Sequence, residues 1–577
     1  MSTILLKKVD RPRDLPWYKA GAMLYGDWGT SKAYVLGIAF ALTGHASWFF
    51  LGLMSILTTL VGICYMSVCR VYPDGGGVYS AVRHRSRSLA VVGALLLVAD
   101  YVVTASLSAL DAFHYFGCSN PAVWAVGAIA VVGLINWVGP AKASGTLAVV
   151  FGLLASVAAA ILFLFTLPHL ARVELAWPSG SLMHNWSGFV GIVLALSGVE
   201  AVANMTGIMK PPVHKTARKA IIPVILEVSV VTFLLGIAMN ALPGLKDHTE
   251  DMLRVLGVYY VGDWYGVVIS IVFGLLLLSA VNTAVSDLVN IQFAMSRDRE
   301  LPDVFARLNR FGMPMLPLIL ATMAPIAVLL FQHDLVGLAA LYAIGVVGAI
   351  TLNLASTGTD FDLKLTRGER ILLCSCAVLL GVIEITIAVQ KHHALVFVLS
   401  VLAGGMGLRF AAKTVARAPL PEMLADMNVL TVAEAKEIAP LYRSSTLVGL
   451  KGINHFLMEE AAMRVKGKGE NSIYVIYVEE APGGRELPVE LEPSRQSLEL
   501  LAAAQREMET KGITAVPIWR VGADPGELMA SAARELDVKT VMIGTTKRGA
   551  LTRLVRGDVL RTLSRGLPQD CHLIISG

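Results

Sequence analysis

Acidic and hydroxyl side chains interrupt the first apolar segment of the chain. This segment contains the sequence GAMLYGDWGTSKAYVLG, in which Asp27 stands among glycines and hydroxyl residues. Glycine weakens a helix by about 1 kcal/mol relative to alanine, and a carboxylate inside a bilayer costs at least a few kcal/mol unless it lines a cavity or binds a cation. We therefore predict that the helix unwinds around Asp27 and that Asp27 has a functional role.

A matching defect lies in the sixth apolar segment. There, Ser197, Gly198 and Glu200 interrupt the sequence LALSGVEAVANMTG. Two defects five segments apart are typical of an inverted repeat of five plus five spans, in which two discontinuous helices meet at a central binding site. We expect the two breaks to face one another.

The third and tenth apolar segments add further polar groups. The third contains ADYVVTASLSA, where Tyr101, Thr104 and Ser108 follow the spacing of one helix face. Asp100 precedes them, and Tyr342 stands in the otherwise aliphatic tenth segment. Carboxylate, phenol, hydroxyl and backbone oxygens are the ligands that replace the hydration shell of a monovalent cation. The pattern favours cation transport.

Alternative interpretations of these residues stay open at this point. An amino-acid substrate would meet free backbone N–H groups at the breaks, but Asp27 would repel its carboxylate. Asp27 also has the side chain of a helix cap. Glu200 or Asp100 would neutralise Lys32 if either paired with it, and the hydroxyls of the third segment would serve equally well to join helices.

Composition identifies the broad class of protein. The 577 residues are 55% hydrophobic and 16% charged, whereas ordinary soluble domains are about 25% charged. A single soluble globule is therefore excluded. The formal charge of +5 gives no support to a nucleic-acid partner. The six cysteines show no metal-ligand spacing and indicate neither a zinc site nor a disulfide framework.

Apolar segments long enough to cross a bilayer predict twelve transmembrane helices. Lys and Arg concentrate in every second connection, which places both termini in the cytoplasm, and the basic N-terminus lacks the features of a signal peptide. This arrangement is typical of a multi-pass protein of a bacterial plasma membrane. The segments lie near residues 20–43, 47–69, 89–116, 121–140, 146–168, 184–208, 221–243, 262–294, 314–332, 335–356, 371–390 and 394–412.

A soluble domain follows the last apolar segment. The runs STLVGL, SIYVIYVE, TAVPIWRV, TVMIGT and HLIIS predict five buried strands, and amphipathic helical patterns lie between them. Such alternation predicts a parallel α/β sheet. We divide the chain into an all-α membrane domain (1–415), a connecting helix (416–440) and an α/β domain (441–577).

Three motifs in the membrane part resemble the amino acid-polyamine-organocation superfamily. They are YPDGGGVYS (72–80), NWVGPAKASG (136–145) and FAMSRDRELP (293–302). The resemblance covers about 400 residues of the chain and implies the LeuT-like fold with its inverted repeat.

Within this superfamily, GDWGTSKAY resembles the signature of KUP-type potassium permeases and, more closely, that of KimA-type potassium/proton symporters. Lys32 stands where the KUP signature has proline. The resemblance implies a potassium site at Asp27, Tyr34, Tyr101, Thr104, Ser108 and Tyr342, with proton or cation coupling at Glu200, Asp100 and Ser197.

The tail IGTTKRGALTRLVRGDVLRTL resembles the last unit of universal stress protein domains. Gly544 and Gly557 match the nucleotide loop of that family, whereas Lys547 replaces its second glycine and Asp558 would repel a phosphate. The resemblance to KimA-type symporters implies inhibition by cyclic di-AMP through this tail. Domains of this type often pair, so we expect a homodimer by analogy of fold.

The sequence therefore predicts a proton-coupled potassium importer that works by alternating access. The alternatives are a proton-coupled amino-acid permease and a membrane nucleotide sensor. Potassium ions, protons and membrane lipid are the expected partners. The sequence does not indicate an enzyme, because it shows no nucleophile paired with a base, no metal cluster and no intact phosphate loop. No cofactor is expected.

Overall fold

A computed structural model describes residues 7–8, 13–75, 77–139, 144–173, 175–242, 245, 248–416, 427–442, 444–481, 490–545 and 558–576. The part up to residue 416 is almost wholly helical. Its helices are α1 (Trp17–Trp28), α2 (Ser31–Thr43), α3 (Ser47–Val71), α4 (Gly77–Arg83), α5 (Arg87–Tyr115), α6 (Pro121–Val138), α7 (Ser144–Thr166), α8 (Leu182–Gly191), α9 (Ala201–Met205), α10 (Val213–Leu226), α11 (Thr232–Ala238), α12 (Met252–Tyr260), α13 (Asp263–Arg297), α14 (Met315–Phe331), α15 (Leu335–Gly358), α16 (Arg367–Gln390) and α17 (His392–Ala416).

Many of these helices have the length and composition of membrane spans. Within the described residues, nine helical stretches are long and apolar enough to cross a bilayer, or ten if the bent pair Leu182–Gly191 and Val193–Ile208 forms one span. The first stretch, Trp17–Val71, has 55 residues and contains the short 3₁₀ turn Gly44–Ala46. α14 is also apolar but shorter. A multi-pass membrane protein is confirmed, while the count of twelve spans stays a prediction.

The long helix α5 lies at the centre of the helical part. It packs against α13, α15 and α6. Gly345 of α15 permits one close approach, since a Cβ atom at this position would lie 2.9 Å from the backbone nitrogen of Asp100. The polar face of α5 is therefore enclosed by other helices, away from the lipid-facing surface.

The predicted α/β domain follows as a five-stranded parallel sheet with the order β5-β3-β2-β6-β7, which confirms the strands predicted from the β-branched runs. Helices connect the strands, as parallel pairing requires. A short antiparallel pair joins β1 and β4 and brings the N-terminal residues to this domain. The strands are β1 (Lys7–Lys8), β2 (Thr446–Leu450), β3 (Ser472–Glu480), β4 (Glu490–Leu491), β5 (Thr514–Gly522), β6 (Thr540–Gly544) and β7 (His572–Ser576), and the helices are α18 (Val432–Ile438), α19 (His455–Gly467), α20 (Arg495–Thr510), α21 (Pro525–Glu535) and α22 (Val559–Gly566).

The end of α13 anchors the membrane part to the α/β domain. Phe293 packs into the apolar core on one face of the sheet. Arg297 forms an ion pair with Glu479 of β3, and Arg299 pairs with Glu492 at 2.8 Å. An apolar contact and two ion pairs thus join α13 to the α/β domain.

Residues 297–300 alternate between basic and acidic side chains. The two acidic ones, Asp298 and Glu300, bond to residues of the membrane part. Asp298 accepts a hydrogen bond from Tyr79 at 2.8 Å and pairs with Arg83 at 3.1 Å. Glu300 accepts from the Nε of Arg409 at 2.5 Å. The run 297–300 therefore alternates between the two parts of the protein, and we call it the charged junction.

Glu479 of β3, the partner of Arg297, accepts further hydrogen bonds within the α/β domain. It accepts hydrogen bonds from Ser497 at 2.6 Å and from the indole of Trp519 at 2.9 Å. Burial raises the pKa of Glu479, but the Arg297 guanidinium and the two donors outweigh burial and hold this pKa below its ordinary value. The carboxylate form is therefore stabilised by folding.

We expect Glu479→Gln to destabilise the α/β domain by about 3 kcal/mol, because it leaves the Arg297 side chain, which is only 9% exposed, without a counter-charge. Thermal unfolding of the purified protein should show a midpoint lower by about 10 °C. Wild-type Glu479 contributes fully above its unfolded pKa of about 4.3 and loses this contribution as the pH falls through its lower folded pKa, so the variant should lack this acid-dependent loss.

The matched control is Glu499→Gln, which removes an exposed pair with Arg495. Such pairs contribute at most about 1 kcal/mol. Equal effects of the two substitutions would contradict the importance of the charged junction.

Candidate cation site

The break in the first apolar segment is a short turn. α1 ends at Trp28 and α2 begins at Ser31, and both Gly29 and Thr30 keep helical dihedral angles. The Gly29 N–H still donates to the carbonyl of Tyr25 at 2.8 Å. The prediction that the chain unwinds at Asp27 is therefore wrong in detail, because Asp27 lies in the last turn of α1 and the interruption follows it.

The break in the sixth segment is larger. After α8, a 3₁₀ turn spans Val193–Leu196, and residues 197–200 form a turn before α9. Gly198 has φ +95°, and a Cβ atom there would lie 2.6 Å from the backbone nitrogen of Trp28. Only glycine fits this conformation and this contact. The structure thus brings the two breaks together, backbone against backbone.

Polar side chains from three further helical segments meet at these breaks. The hydroxyl of Ser197 is hydrogen-bonded to that of Tyr342 on α15. Tyr34 of α2 interacts with both Asp27 and Tyr342, and Tyr342 also interacts with Thr104 of α5. These predicted site residues therefore form one connected group.

Three carboxyl groups lie in the same region without a cationic partner among the described side chains around them. Asp27, Asp100 and Glu200 are 8%, 1% and 4% exposed and interact electrostatically with one another. One oxygen of Glu200 accepts from the Gly198 N–H at 3.1 Å. The other oxygen of Glu200 and both oxygens of Asp100 have no hydrogen-bond partner in the described structure. Carboxyls in such surroundings require protons or cations.

The remaining predicted residues lie on α5. Tyr101 accepts a hydrogen bond from the Asn204 side chain at 2.9 Å and interacts with Asp100. Ser108 is buried one turn beyond Thr104 on the same face, but none of the hydrogen bonds among the described residues joins its side chain to the group. The structure therefore places Ser108 beside the site and does not join it to the other residues.

Lys32 has a different partner from those predicted. Its ammonium lies 2.6 and 2.5 Å from the two carboxylate oxygens of Glu227 and 2.9 Å from the Tyr25 hydroxyl. Glu227 begins a π-helical turn, Glu227–Val231, between α10 and α11. The interpretation that Glu200 or Asp100 neutralises Lys32 is wrong, because this ion pair already satisfies the lysine.

Sequence reasoning missed Glu227, Asn204 and Asp287. Asp287 on α13 interacts electrostatically with Asp100 and Glu200. Both acidic residues carry the signal used for Asp27, a carboxylate inside an apolar segment. Asn204 gives no comparable signal, because amides often join membrane helices.

The candidate nucleotide loop is only partly visible. Gly544 ends β6, whereas Lys547 and Gly557 lie outside the described residues. Asp558 caps α22 and accepts a hydrogen bond from the Leu560 N–H at 3.0 Å. An acidic cap therefore occupies the helix terminus at which a phosphate would bind.

Two interrupted helices and three buried carboxyls thus form one enclosed acidic site within a bundle of apolar helices. The chain belongs to the amino acid permease family, whose model matches residues 15–410, and residues 457–574 match the universal stress protein family. The chain is 25% identical over 403 residues to the potassium transporter KimA of Bacillus subtilis strain 168. This alignment covers 64% of the chain and 65% of the length of that relative.

We expect Gly198→Ala to destabilise the site by more than about 2 kcal/mol, because alanine meets the Trp28 backbone and disfavours a positive φ. The melting temperature of the detergent-purified protein measures this effect. Gly26→Ala is the control, since a Cβ at Gly26 has nothing within 4 Å. A Gly198→Ala protein as stable as the control would contradict the close contact of the two breaks.

Glu227→Gln should destabilise the helical part by about 3 kcal/mol, because it leaves the fully buried Lys32 ammonium without a counter-charge. The double substitution Lys32→Met with Glu227→Leu should recover most of the loss, since it removes both charges. Thermal unfolding of the three proteins forms the test. A double variant at least as destabilised as Glu227→Gln would contradict the pairing of the two residues.

Proposed function

We propose that this protein imports potassium together with protons. The main supporting observation is the buried group Asp27, Asp100 and Glu200, whose carboxyls interact electrostatically with one another. Both oxygens of Asp100 and one oxygen of Glu200 have no hydrogen-bond partner in the described structure. Such a group repels an anionic substrate and favours a cation or a proton. The similarity to the potassium transporter KimA supports the same class of cargo.

The proposed potassium ligands are oxygens of Asp27, Tyr34, Tyr101, Thr104 and Tyr342, with Ser108 as an outlying ligand on the same α5 face. Oxygens of this kind replace the hydration shell of a potassium ion. Support comes from the hydroxyls and carboxyls that interact around Tyr342. Ser197 contributes by holding the Tyr342 hydroxyl.

Glu200 is the proposed carrier of the coupled proton. One of its oxygens is held by the Gly198 N–H and the other has no hydrogen-bond partner in the described structure. Asp27 and Asp100 lie within electrostatic reach of Glu200, so a negative charge on one of these carboxyls opposes a negative charge on the others. Proton binding and potassium binding at adjacent carboxyls are therefore coupled through charge.

Alternating access would follow from the two interrupted helices. We propose a LeuT-like inverted repeat of twelve spans with both termini in the cytoplasm, in which the stretch Trp17–Val71 crosses twice. The segments with the breaks would rock against the bundle formed by α5 and α13. The backbone contact at Gly198 supports movement of the two interrupted segments as one unit.

Regulation by a cyclic dinucleotide at the α/β domain is a further part of this proposal. Basic and small residues of the candidate loop support it, while the acidic Asp558 cap opposes phosphate at α22. The charged junction supplies a physical link, since Arg297 pairs with Glu479 and its neighbour Asp298 bonds to Tyr79. Pairing of two α/β domains into a dimer is proposed on analogy of fold.

A proton-coupled amino-acid permease is the second candidate. The description of the family that matches residues 15–410 favours it. Asp27, Asp100 and Glu200 oppose it, because an amino-acid carboxylate at the breaks would lie against three acidic groups.

Asp27→Asn should lower rubidium uptake by at least about tenfold in cells that lack other potassium transporters, because a neutral amide loses charge-assisted binding of the cation. Asp303→Asn, at an exposed acidic residue, is the control and should transport normally. Unlabelled amino acids should not compete with rubidium. Undiminished uptake by Asp27→Asn, or strong competition by an amino acid, would overturn the potassium assignment.

A further inference from the structure

A fourth acidic residue on α5, Asp111, is buried without a partner. It is 0% exposed, and neither carboxylate oxygen has a hydrogen-bond partner in the described part of the chain. It follows Asp100 by eleven residues, which corresponds to about 16 Å along a helix. Thr104 and Ser108 lie between them on one helix face, so the polar face of α5 continues from the carboxyl group at the breaks to Asp111.

The segment before α12 lies within electrostatic reach of Asp111 and packs against α2. Its Thr249 carbonyl packs against Gly37 of α2, where a Cβ atom would overlap it. Glu250 and Asp251 of this segment interact electrostatically with Asp111. Tyr34 also interacts with Asp111 and connects it to the carboxyl group at the breaks.

The other titratable groups near Asp111 do not neutralise it. Tyr115 on the same helix interacts with Asp111 but donates its hydroxyl to the Ala33 carbonyl at 2.8 Å. His114 pairs with Glu250 at 2.7 Å, and Arg254 pairs with Asp251 at 2.9 Å.

Most helices packed against α5 add little further charge. α15 contains only Tyr342 as an ionisable residue, and Arg83 of α4 and Arg409 and Lys413 of α17 pair with Asp298 and Glu300 of the charged junction. α6 and α14 contain no ionisable residue in their sequences, and the long helix α13 supplies only Tyr265 and Asp287 between its two ends. Tyr265 donates its hydroxyl to the Ala158 carbonyl at 2.6 Å, and Asp287 interacts with Asp100. No described cation therefore forms an ion pair with Asp111.

We propose that Asp111 is a second proton-binding residue, located between the outer surface and the cation site, that loads the coupled proton. A proton from outside would bind one carboxylate oxygen of Asp111, give a neutral carboxyl and later leave towards Tyr34 and Asp27. A potassium ion needs several oxygen ligands, whereas a proton needs only one oxygen. This inference rests on the proposed proton coupling and on the proposed orientation.

The test compares two transport modes of the full-length protein in proteoliposomes. Rubidium uptake driven by an inward proton gradient requires proton loading, whereas rubidium/potassium exchange at equal pH requires no net proton movement. Asp111→Asn should lower proton-driven uptake by at least about tenfold and keep exchange within about twofold of wild type. Asp111→Glu, which retains a carboxyl, should recover much of the proton-driven uptake.

Glu250→Gln is the matched control, because Glu250 is partly exposed and already paired with His114. It should keep both modes. Proton-driven uptake that survives in Asp111→Asn would overturn the assignment of Asp111 alone. Loss of both modes in Asp111→Asn, without recovery in Asp111→Glu, would also overturn it and indicate a structural role. Wild-type exchange without proton-driven uptake would overturn the proposed coupling and the role of Asp111 together.

Discussion

The fold depends on one constraint, the need to hold several carboxyl groups in an environment with almost no water. An isolated carboxylate inside a bilayer costs at least a few kcal/mol. The protein buries Asp27, Asp100 and Glu200 within electrostatic reach of one another. It orients them by backbone groups freed at the Gly198 break, by hydroxyls and by tightly packed helices. The protein therefore gives up stability at the site where we propose that protons and a cation bind.

The ion pair of Lys32 with Glu227 keeps the region around the breaks acidic. A buried ammonium beside the breaks would neutralise the carboxyls if it were free to reach them. The π-helical turn at Glu227 instead supplies a dedicated counter-ion, and Tyr25 completes the arrangement. π-helical turns within α-helices are often found at functional sites. The lysine therefore joins α2 to the neighbouring helix and leaves the carboxyl group at the breaks without a permanent positive partner.

Sequence alone predicted the features that arise from local composition. The five strands follow from β-branched runs, and the break at Gly198 follows from glycine and a carboxylate inside an apolar segment. The partner of Lys32 could not be predicted, because Glu227 lies 195 residues away and several other acidic residues were equally plausible. The same limit applies to Asp287, whose position depends on how α13 packs against α5.

Long-range pairing also explains the charged junction. The run Arg297, Asp298, Arg299 and Glu300 is recognisable in the sequence, but its alternation between two parts of the protein exists only in the folded chain. Because Asp298 bonds to Tyr79 on α4, and Gly77 at the start of α4 lies against Asn204, the junction is connected by packing to the Tyr101 hydroxyl. A displacement of the α/β domain would therefore reach the cation site through a short series of direct contacts. The Arg297 and Glu479 side chains are mostly shielded from solvent, so this ion pair is less screened by salt than an exposed one.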